Sequence, residues 1–287
     1  MNDIIYDIAF SLDESITPIE KRILFENFNS SKKIFELGKS TIKNILGRRW
    51  SGNRFLPENF INIATNLYQF IIKSGIKIAR YYEKEYPLFL KEIPDHPFLI
   101  YYKGNIEYNP EKSIAIVGTR NPDQRGILNT KRFTKRLVEE GFTIISGLAK
   151  GIDVEAHKEA LKNKGKTIAV LGCGIDRIYP AEHKEIAREI LDNNGGIISE
   201  YAPGIQARKW YFPKRNRIIV GLSNSVLIVQ SPKRSGSLIS AFLAADYSRD
   251  LFVVSPQIGN PKEEGNDMLI KTGGREVKDP EEIIKSL

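Results

Sequence analysis

The 287-residue sequence holds one cysteine, three histidines and two tryptophans. Cys173 alone cannot close an internal disulfide, so the staple on which small secreted folds depend is missing. His96, His157 and His183 are scattered without the spacing of metal ligands, and no metal site is expected. Long apolar runs are missing too. Ser113–Val117 and Thr167–Leu171 have the length of a strand, far short of the ~20 residues that a membrane-spanning helix needs. The opening Met1-Asn2-Asp3 brings an acid where a secretion signal has a basic region and then an apolar core. With the lone cysteine, this places the chain in the cytoplasm, away from membranes. No internal repeat or low-complexity tract is present.

Two phosphate signatures are absent as well. Gly118-Thr119-Arg120 does not follow Gly-x-Gly-x-x-Gly, and Gly-x-x-x-x-Gly-Lys-Ser/Thr occurs nowhere, which disfavours dinucleotide use and ATP hydrolysis. No Ser–His–Asp or Cys–His set has a workable spacing. Asp153, Asp176 and Glu200 lie near strand ends, but nothing singles out two of them as an acid–base pair. No catalytic residue and no cofactor are assigned.

What is present is base. The formal charge is +8 and the pI about 9.3, which favours a polyanionic partner without identifying it. The densest segment is Trp210-Tyr211-Phe212-Pro213-Lys214-Arg215-Asn216-Arg217, three aromatics and three cations with no acid, extended upstream by Arg208 and Lys209. Rings beside guanidinium groups suit an unpaired nucleic-acid strand, whose bases lie on aromatic faces while its phosphates meet Lys and Arg. The plainer reading makes the rings core and the cations a solvated face. Arg217 is also open to a role in a buried structural pair.

Residues 1–75 read as a small all-helical domain. Thr17-Pro18-Ile19-Glu20 is a helix start with a capping box, and Ile19, Ile23, Leu24 and Phe28 recur at helical spacing. Further helices are expected from Ser31 to Leu37 with a stop at Gly38, from Ser40 to Leu46 with a stop at Gly47, and from Pro57 to Lys73. Residues 76–110 carry four X–Pro steps and read as a connecting segment with strands at Lys77–Arg80 and Phe98–Tyr102.

From Ser113 the pattern alternates. Strands are expected at Ser113–Val117, Thr143–Ile145, Thr167–Leu171, Gly196–Ser199, Ser225–Val229 and Leu251–Val254, with a last one at Glu276–Val277. Helices fall between them at Gly126–Glu140, Ile152–Asn163, Ala181–Asn193, Lys214–Leu222 and Gly236–Ser248, with one more from Pro280. Short, nearly uncharged, β-branched strands alternating with amphipathic helices define a doubly wound, mostly parallel Rossmann-like α/β sheet over residues 76–287.

Ligands of such sheets bind beyond the carboxyl ends of the strands. Those positions hold Gly118-Thr119-Arg120, Ser146-Gly147 leading to Gly151-Ile152-Asp153, Gly172-Cys173-Gly174, and Ser235-Gly236-Ser237 opening a helix. Arg120 and the Ser-Gly-Ser turn are the best phosphate candidates. Asp153 reads as a helix-start cap.

In these blocks the chain resembles the DNA-processing protein A family (DprA, also called Smf). The resemblance runs from about Tyr81 to Gly274. It is carried by Ile116-Val117-Gly118-Thr119-Arg120, Ser146-Gly147-Leu148-Ala149-Lys150-Gly151-Ile152-Asp153 with Ala156-His157, and Leu171-Gly172-Cys173-Gly174-Ile175-Asp176 with Tyr179-Pro180. Phe212-Pro213-Lys214-Arg215-Asn216-Arg217 and Ser235-Gly236-Ser237-Leu238 complete it. It implies a protein that binds single-stranded DNA in a basic pocket, protects incoming strands in natural transformation, helps load the RecA recombinase and works as a homodimer without catalysis. It also implies a sterile-alpha-motif-like module for residues 1–75. Carried over by position, the DNA-binding residues are Gly118, Thr119, Arg120, Ser146, Gly147, Phe212, Lys214, Arg215, Asn216, Arg217, Ser235, Gly236 and Ser237.

Val254-Ser255-Pro256-Gln257 departs from the family's Val-Pro-Gly and leaves the 256–266 loop open, and the thirteen residues after Gly274 leave no room for the family's winged-helix-like domain. The competing reading is a Rossmann-like enzyme or sensor for a small nucleotide.

Overall fold

The computed structural model describes residues 3–37, 39–47 and 59–287. The chain forms two compact units, Met1–Tyr86 with Pro94–Tyr101, and Pro87–Ile93 with Tyr102–Leu287.

The first unit holds α1 (Asp3–Leu12), α2 (Pro18–Phe28), α3 (Ser31–Glu36), α4 (Lys39–Leu46) and α5 (Asn59–Lys73), then β1 (Lys77–Arg80). The capping box closes as its sequence demands. Thr17 Oγ1 accepts the Glu20 N–H at 3.3 Å, and the Glu20 carboxylate accepts the Thr17 N–H at 2.8 Å. α1 buries Ile5, Asp7, Ile8, Ala9 and Phe10. Its buried Asp7 accepts hydrogen bonds from Ser31 Oγ (2.6 Å), Arg80 Nη1 (2.8 Å) and the Tyr82 hydroxyl (2.8 Å), which offsets the cost of an interior carboxylate. In the same unit the rings of Phe10, Phe25, Tyr81 and Phe98 pack edge to face, and Phe25 stacks on Tyr82 at 4.6 Å. The expected stop at Gly38 and helix start at Pro57 lie outside the described residues.

The second unit contains α6 (Leu88–Glu92) and the end of β2 (Leu99–Gly104). The alternating part follows: β3 (Ser113–Val117), α7 (Gln124–Glu139), β4 (Thr143–Ser146), α8 (Ile152–Lys162), β5 (Thr167–Leu171), α9 (Lys184–Asp192) and β6 (Gly196–Ser199). It continues through α10 (Tyr211–Gly221), β7 (Ser225–Ile228), α11 (Ser237–Asp246), β8 (Asp250–Val254), α12 (Glu264–Lys271), β9 (Arg275–Val277) and α13 (Pro280–Ile284).

Within this unit seven strands pair in parallel, in the order β6-β5-β4-β3-β7-β8-β9. The expected doubly wound sheet is present. β3, β4, β5, β6 and β7 are buried along their whole length, which is why their sequences carry no charge. Phe133 and Leu137 of α7, Ile152, Ala156 and Ala160 of α8, and Ile283 of α13 cover Ile114, Ile116 and Leu227 in one core. The chain winds outward from β3 to β6, crosses back to β7 beside β3, and winds outward again. The switch point is therefore β3/β7.

Three elements differ from the sequence reading. α10 begins at Tyr211, three residues before Lys214, because Pro213 lies in the first turn, where its missing N–H interrupts no bond. α6 and α12 were not expected. α12 takes up part of the 256–266 loop, whose Glu263 is 1% exposed and accepts hydrogen bonds from Gln230 Nε2 (3.0 Å), Arg125 Nε (3.2 Å) and the Gln257 N–H (2.5 Å). Among the described residues no helix is long and apolar enough to cross a membrane.

Candidate functional site

At the switch point the loops after β3 and β7 are tied together through their backbones. The Thr119 N–H donates to Gln230 O at 2.8 Å, and the Ile152 N–H donates to Thr119 O at 3.2 Å. Gln230 Oε1 accepts the Asp123 N–H at 3.0 Å, so one buried glutamine, through its backbone carbonyl and its side chain, holds both ends of the Gly118–Asp123 loop. Gly118 is needed for this approach, since a β-carbon there would sit 2.5 Å from Ile152 Cγ1 and 2.9 Å from Gln230 O.

An open cleft of about 630 Å³ results. One wall is Gly118, Thr119, Arg120 and Asn121, from the loop after β3. The facing wall is Arg234, Ser235, Gly236 and Ser237, leading into α11. Phe212, Pro213 and Asn216 come from α10 and Lys209 from the turn before it, Tyr179 stands at the rim, and Asp153 and Arg215 lie at the floor.

Cations and rings meet in this cleft. The Arg120 guanidinium carbon lies 5.1 Å from the centroid of the Phe212 ring. The Tyr179 ring, 52% exposed, approaches Phe212 at 5.5 Å and 40°. Across the cleft, Ser235 Oγ and Ser237 Oγ are 2.7 Å apart, and Ser237 Oγ donates to Ser231 Oγ at 2.9 Å. Asn216 Nδ2 donates to Gly236 O at 3.3 Å, which fastens α10 to this turn. A cleft with three exposed cations (Arg120, Lys209, Arg234), hydroxyl donors and an accessible ring suits a ligand with phosphates and planar bases.

The floor is electrostatically self-contained. Arg215 is 3% exposed, and its Nη1 donates to Val170 O at 2.5 Å. Burial pulls its guanidinium below the usual value, with the nearby Asp153 charge acting in the opposite direction. Burial pushes the Asp153 carboxyl up, against the pull of Arg215 and the Ala149 and Gly147 backbone. Asp153 thus anchors the turn before α8 and compensates Arg215.

Nine of the residues selected from sequence line the cleft: Gly118, Thr119, Arg120, Phe212, Arg215, Asn216, Ser235, Gly236 and Ser237. The other four do not line it. Ser146 is fully buried, with its Oγ donating to Ile116 O at 2.6 Å. Gly147 backs onto the Arg215 guanidinium rather than the cleft. Lys214 is exposed and is not among the lining residues. Arg217 is buried, and its Nη2 donates to both carboxylate oxygens of Glu200 at 2.5 and 2.6 Å, the structural pair that was its second reading. Arg215, although at the floor, has its charge matched from within. Sequence reasoning did not select Tyr179, Lys209 or Arg234, although Lys209 and Arg234 extend the cationic runs it noted.

The nucleophile candidates are quiet. Burial pushes the Cys173 thiol up to about 11, so it stays protonated at neutral pH. His157 is fully buried, its imidazole pulled down to about 3 by burial and by the Arg215 charge. Among the described residues no cluster of His, Cys, Asp and Glu has the arrangement of a metal site.

Comparison with known proteins adds five findings. The family model described as DNA recombination-mediator protein A matches residues 77–287. Protein Smf of Synechocystis sp. is 33% identical over 291 residues, covering 98% of this chain and 72% of that protein. DNA processing protein DprA of Bacillus subtilis is 38% identical over 216 residues, 75% of this chain and 72% of that protein. Among solved structures, DprA from Streptococcus pneumoniae aligns with a TM-score of 0.82 at 32% identity, covering 99% of this chain and 98% of that one. DNA processing protein A from Helicobacter pylori, solved for its single-stranded DNA binding mode, aligns with a TM-score of 0.66 at 31% identity over 74% of this chain and 94% of that one.

Proposed function

We propose that this chain, which belongs to the DNA recombination-mediator protein A family, binds single-stranded DNA in the cleft at the β3/β7 switch point. The observation that carries the reading is the convergence of Arg120 and Tyr179 on the Phe212 ring within a cleft that also presents Lys209 and Arg234. A single strand offers base faces to the rings and phosphates to the cations, whereas a duplex hides its base faces. The single-strand binding of the Helicobacter pylori relative supports the same reading.

In this account Arg120, Lys209 and Arg234 meet phosphates, while the Ser235-Gly236-Ser237 turn donates hydrogen bonds at the start of α11. Phe212 holds a base by stacking. Binding is insensitive to sequence, because every base has a π-face and no side chain of the cleft is committed to one base edge. No bond is made or broken. Family membership further supports protection of incoming strands in natural transformation, delivery of the strand to the RecA recombinase, a homodimeric state and a cytoplasmic site of action as parts of the proposal.

The test is an electrophoretic mobility comparison of single- and double-stranded DNA of equal length, beside calorimetric titration with a mononucleotide. A shift confined to, or far stronger with, the single strand is expected. Mononucleotide binding at micromolar concentration with turnover, and no shift with the strand, would establish the small-nucleotide reading instead.

A further inference from the structure

The start of α10 carries a second exposed ring that the cleft does not use. Trp210 is 55% exposed and is absent from the cleft lining. It meets Tyr211 edge-on at 6.0 Å, and Tyr211 is itself buried against Tyr201 with ring centroids 4.1 Å apart. The indole is therefore propped from beneath by a fixed ring and turned outward. The Arg208 guanidinium carbon stands 5.5 Å from the Trp210 ring centroid, the same geometry that joins Arg120 to Phe212 inside the cleft.

Helical spacing shows how the two rings are related. Phe212, Pro213 and Asn216 of α10 line the cleft, together with Lys209 from the turn just before the helix. Trp210, the N-cap of α10 with right-handed helical backbone, and Lys214 are four residues apart and are neighbours on a flank outside that lining. Arg208, Lys209, Trp210 and Lys214 are all exposed. No Asp or Glu occurs anywhere from Tyr201 to Ala245, so this segment offers no acid of its own to satisfy those cations. A partner for this flank must bring negative charge and a planar face, and the cleft that shares Lys209 already takes a ligand with both.

We propose that Trp210, with Arg208 and Lys214, is a second stacking station for single-stranded DNA, met by the strand as it leaves the cleft over the first turn of α10. The inference rests on the reading of the cleft as a single-strand site. It makes affinity depend on strand length: a short oligonucleotide fills the cleft alone, and a longer one engages both rings.

The chain has one other tryptophan, Trp50, so a Trp50→Phe variant makes Trp210 the only indole reporter. Its emission is followed while trithymidylate or an oligothymidine of about fifteen residues is titrated in, with binding read independently by anisotropy or calorimetry. The longer strand quenches Trp210, and trithymidylate binds without doing so. In the otherwise unaltered chain, Trp210→Ala weakens the longer strand at least about fivefold and leaves trithymidylate unchanged, while Trp210→Phe restores most of the loss. If both oligonucleotides bind, Trp210 emission stays constant and Trp210→Ala retains full affinity, the second station is refuted and the cleft stands. If neither oligonucleotide binds, the cleft reading itself has failed. If Trp210→Ala changes the sedimentation of the free protein and not its affinity for the strand, the ring belongs to a contact between copies of the chain, and the proposal is overturned.

Discussion

The guanidinium carbon of Arg120 lies 5.1 Å from the centre of the Phe212 ring, and the two residues reach that contact from the loop after β3 and the first turn of α10. With Tyr179 on the same ring at 5.5 Å, the arrangement is preformed. A base that stacks on Phe212 takes the place of the cation and releases Arg120 toward a phosphate. Phe212→Ala should therefore cost about 1–3 kcal/mol of strand affinity, roughly five- to 150-fold. Anisotropy with a labelled oligothymidine measures it, and unchanged affinity would remove the ring from the site.

Arg217 predicts the opposite behaviour. Its two-pronged bond to Glu200 is internal, with side chains 9% and 23% exposed. Arg217→Ala leaves a mostly buried carboxylate without that partner. Unfolding free energy should fall by about 2–4 kcal/mol, between the ranges for exposed and fully buried pairs. Urea denaturation measures the loss, and the salt dependence of strand binding by the folded variant should match the wild type. Full stability with weakened binding would return Arg217 to the phosphates.

These two arginines also show where sequence stops being informative. β3 and β5 could be bounded to the residue because an uncharged β-branched run between turns has one plausible use in a covered sheet. The switch point followed from the alternation of strands and helices, and with it the loops that hold Arg120 and Ser235. The fate of each cation did not follow. Arg215 and Arg217 are two residues apart in one run, yet what buries them, Val170, Asp153 and Glu200, is distant in the chain. Lys209 lines the cleft from the turn before α10, which begins at Tyr211 and not at Lys214 as the sequence suggested. α12 was hidden for another reason. It buries Gly265, Asn266 and Leu269, two of them poor helix formers, and Asn266 is there to donate to Val229 O and Val254 O at 3.0 and 2.9 Å.

His157 gives a prediction in pH. Its Nδ1 lies 2.7 Å from Thr167 Oγ1 in a fully buried position, and burial pulls the imidazole from 6.5 to about 3. The unfolded chain takes a proton below pH 6.5 that the folded chain refuses. The contribution is complete above that pH and is lost as pH falls toward 3, by on the order of 1 kcal/mol at one unit below 6.5. Urea unfolding near pH 7.5 and pH 5.5 should show the wild type losing about that much more than His157→Asn. Equal losses in both proteins would mean that His157 titrates normally.

Two glycines should respond differently to alanine. A β-carbon on Gly147 would run into the Arg215 guanidinium and drive it from Val170 O. Gly147→Ala should cost about 1–3 kcal/mol, the range for an overpacked interior. Gly236 has φ −64° and open space where its β-carbon would stand, so Gly236→Ala should stay within about 0.5 kcal/mol of wild type. Thermal or urea unfolding decides, and a tolerated Gly147→Ala would show that Arg215 is not held where it is described.

The most direct measurement is the salt dependence of binding to an oligothymidine by the wild type and by the Arg120→Ala/Lys209→Ala double variant. Each phosphate neutralised on a single strand contributes a slope of about 0.7 in log affinity against log salt. Loss of two such contacts should weaken binding and flatten the slope by about 1.4. A folded double variant that keeps both the affinity and the slope of the wild type would show that the strand is not held in this cleft.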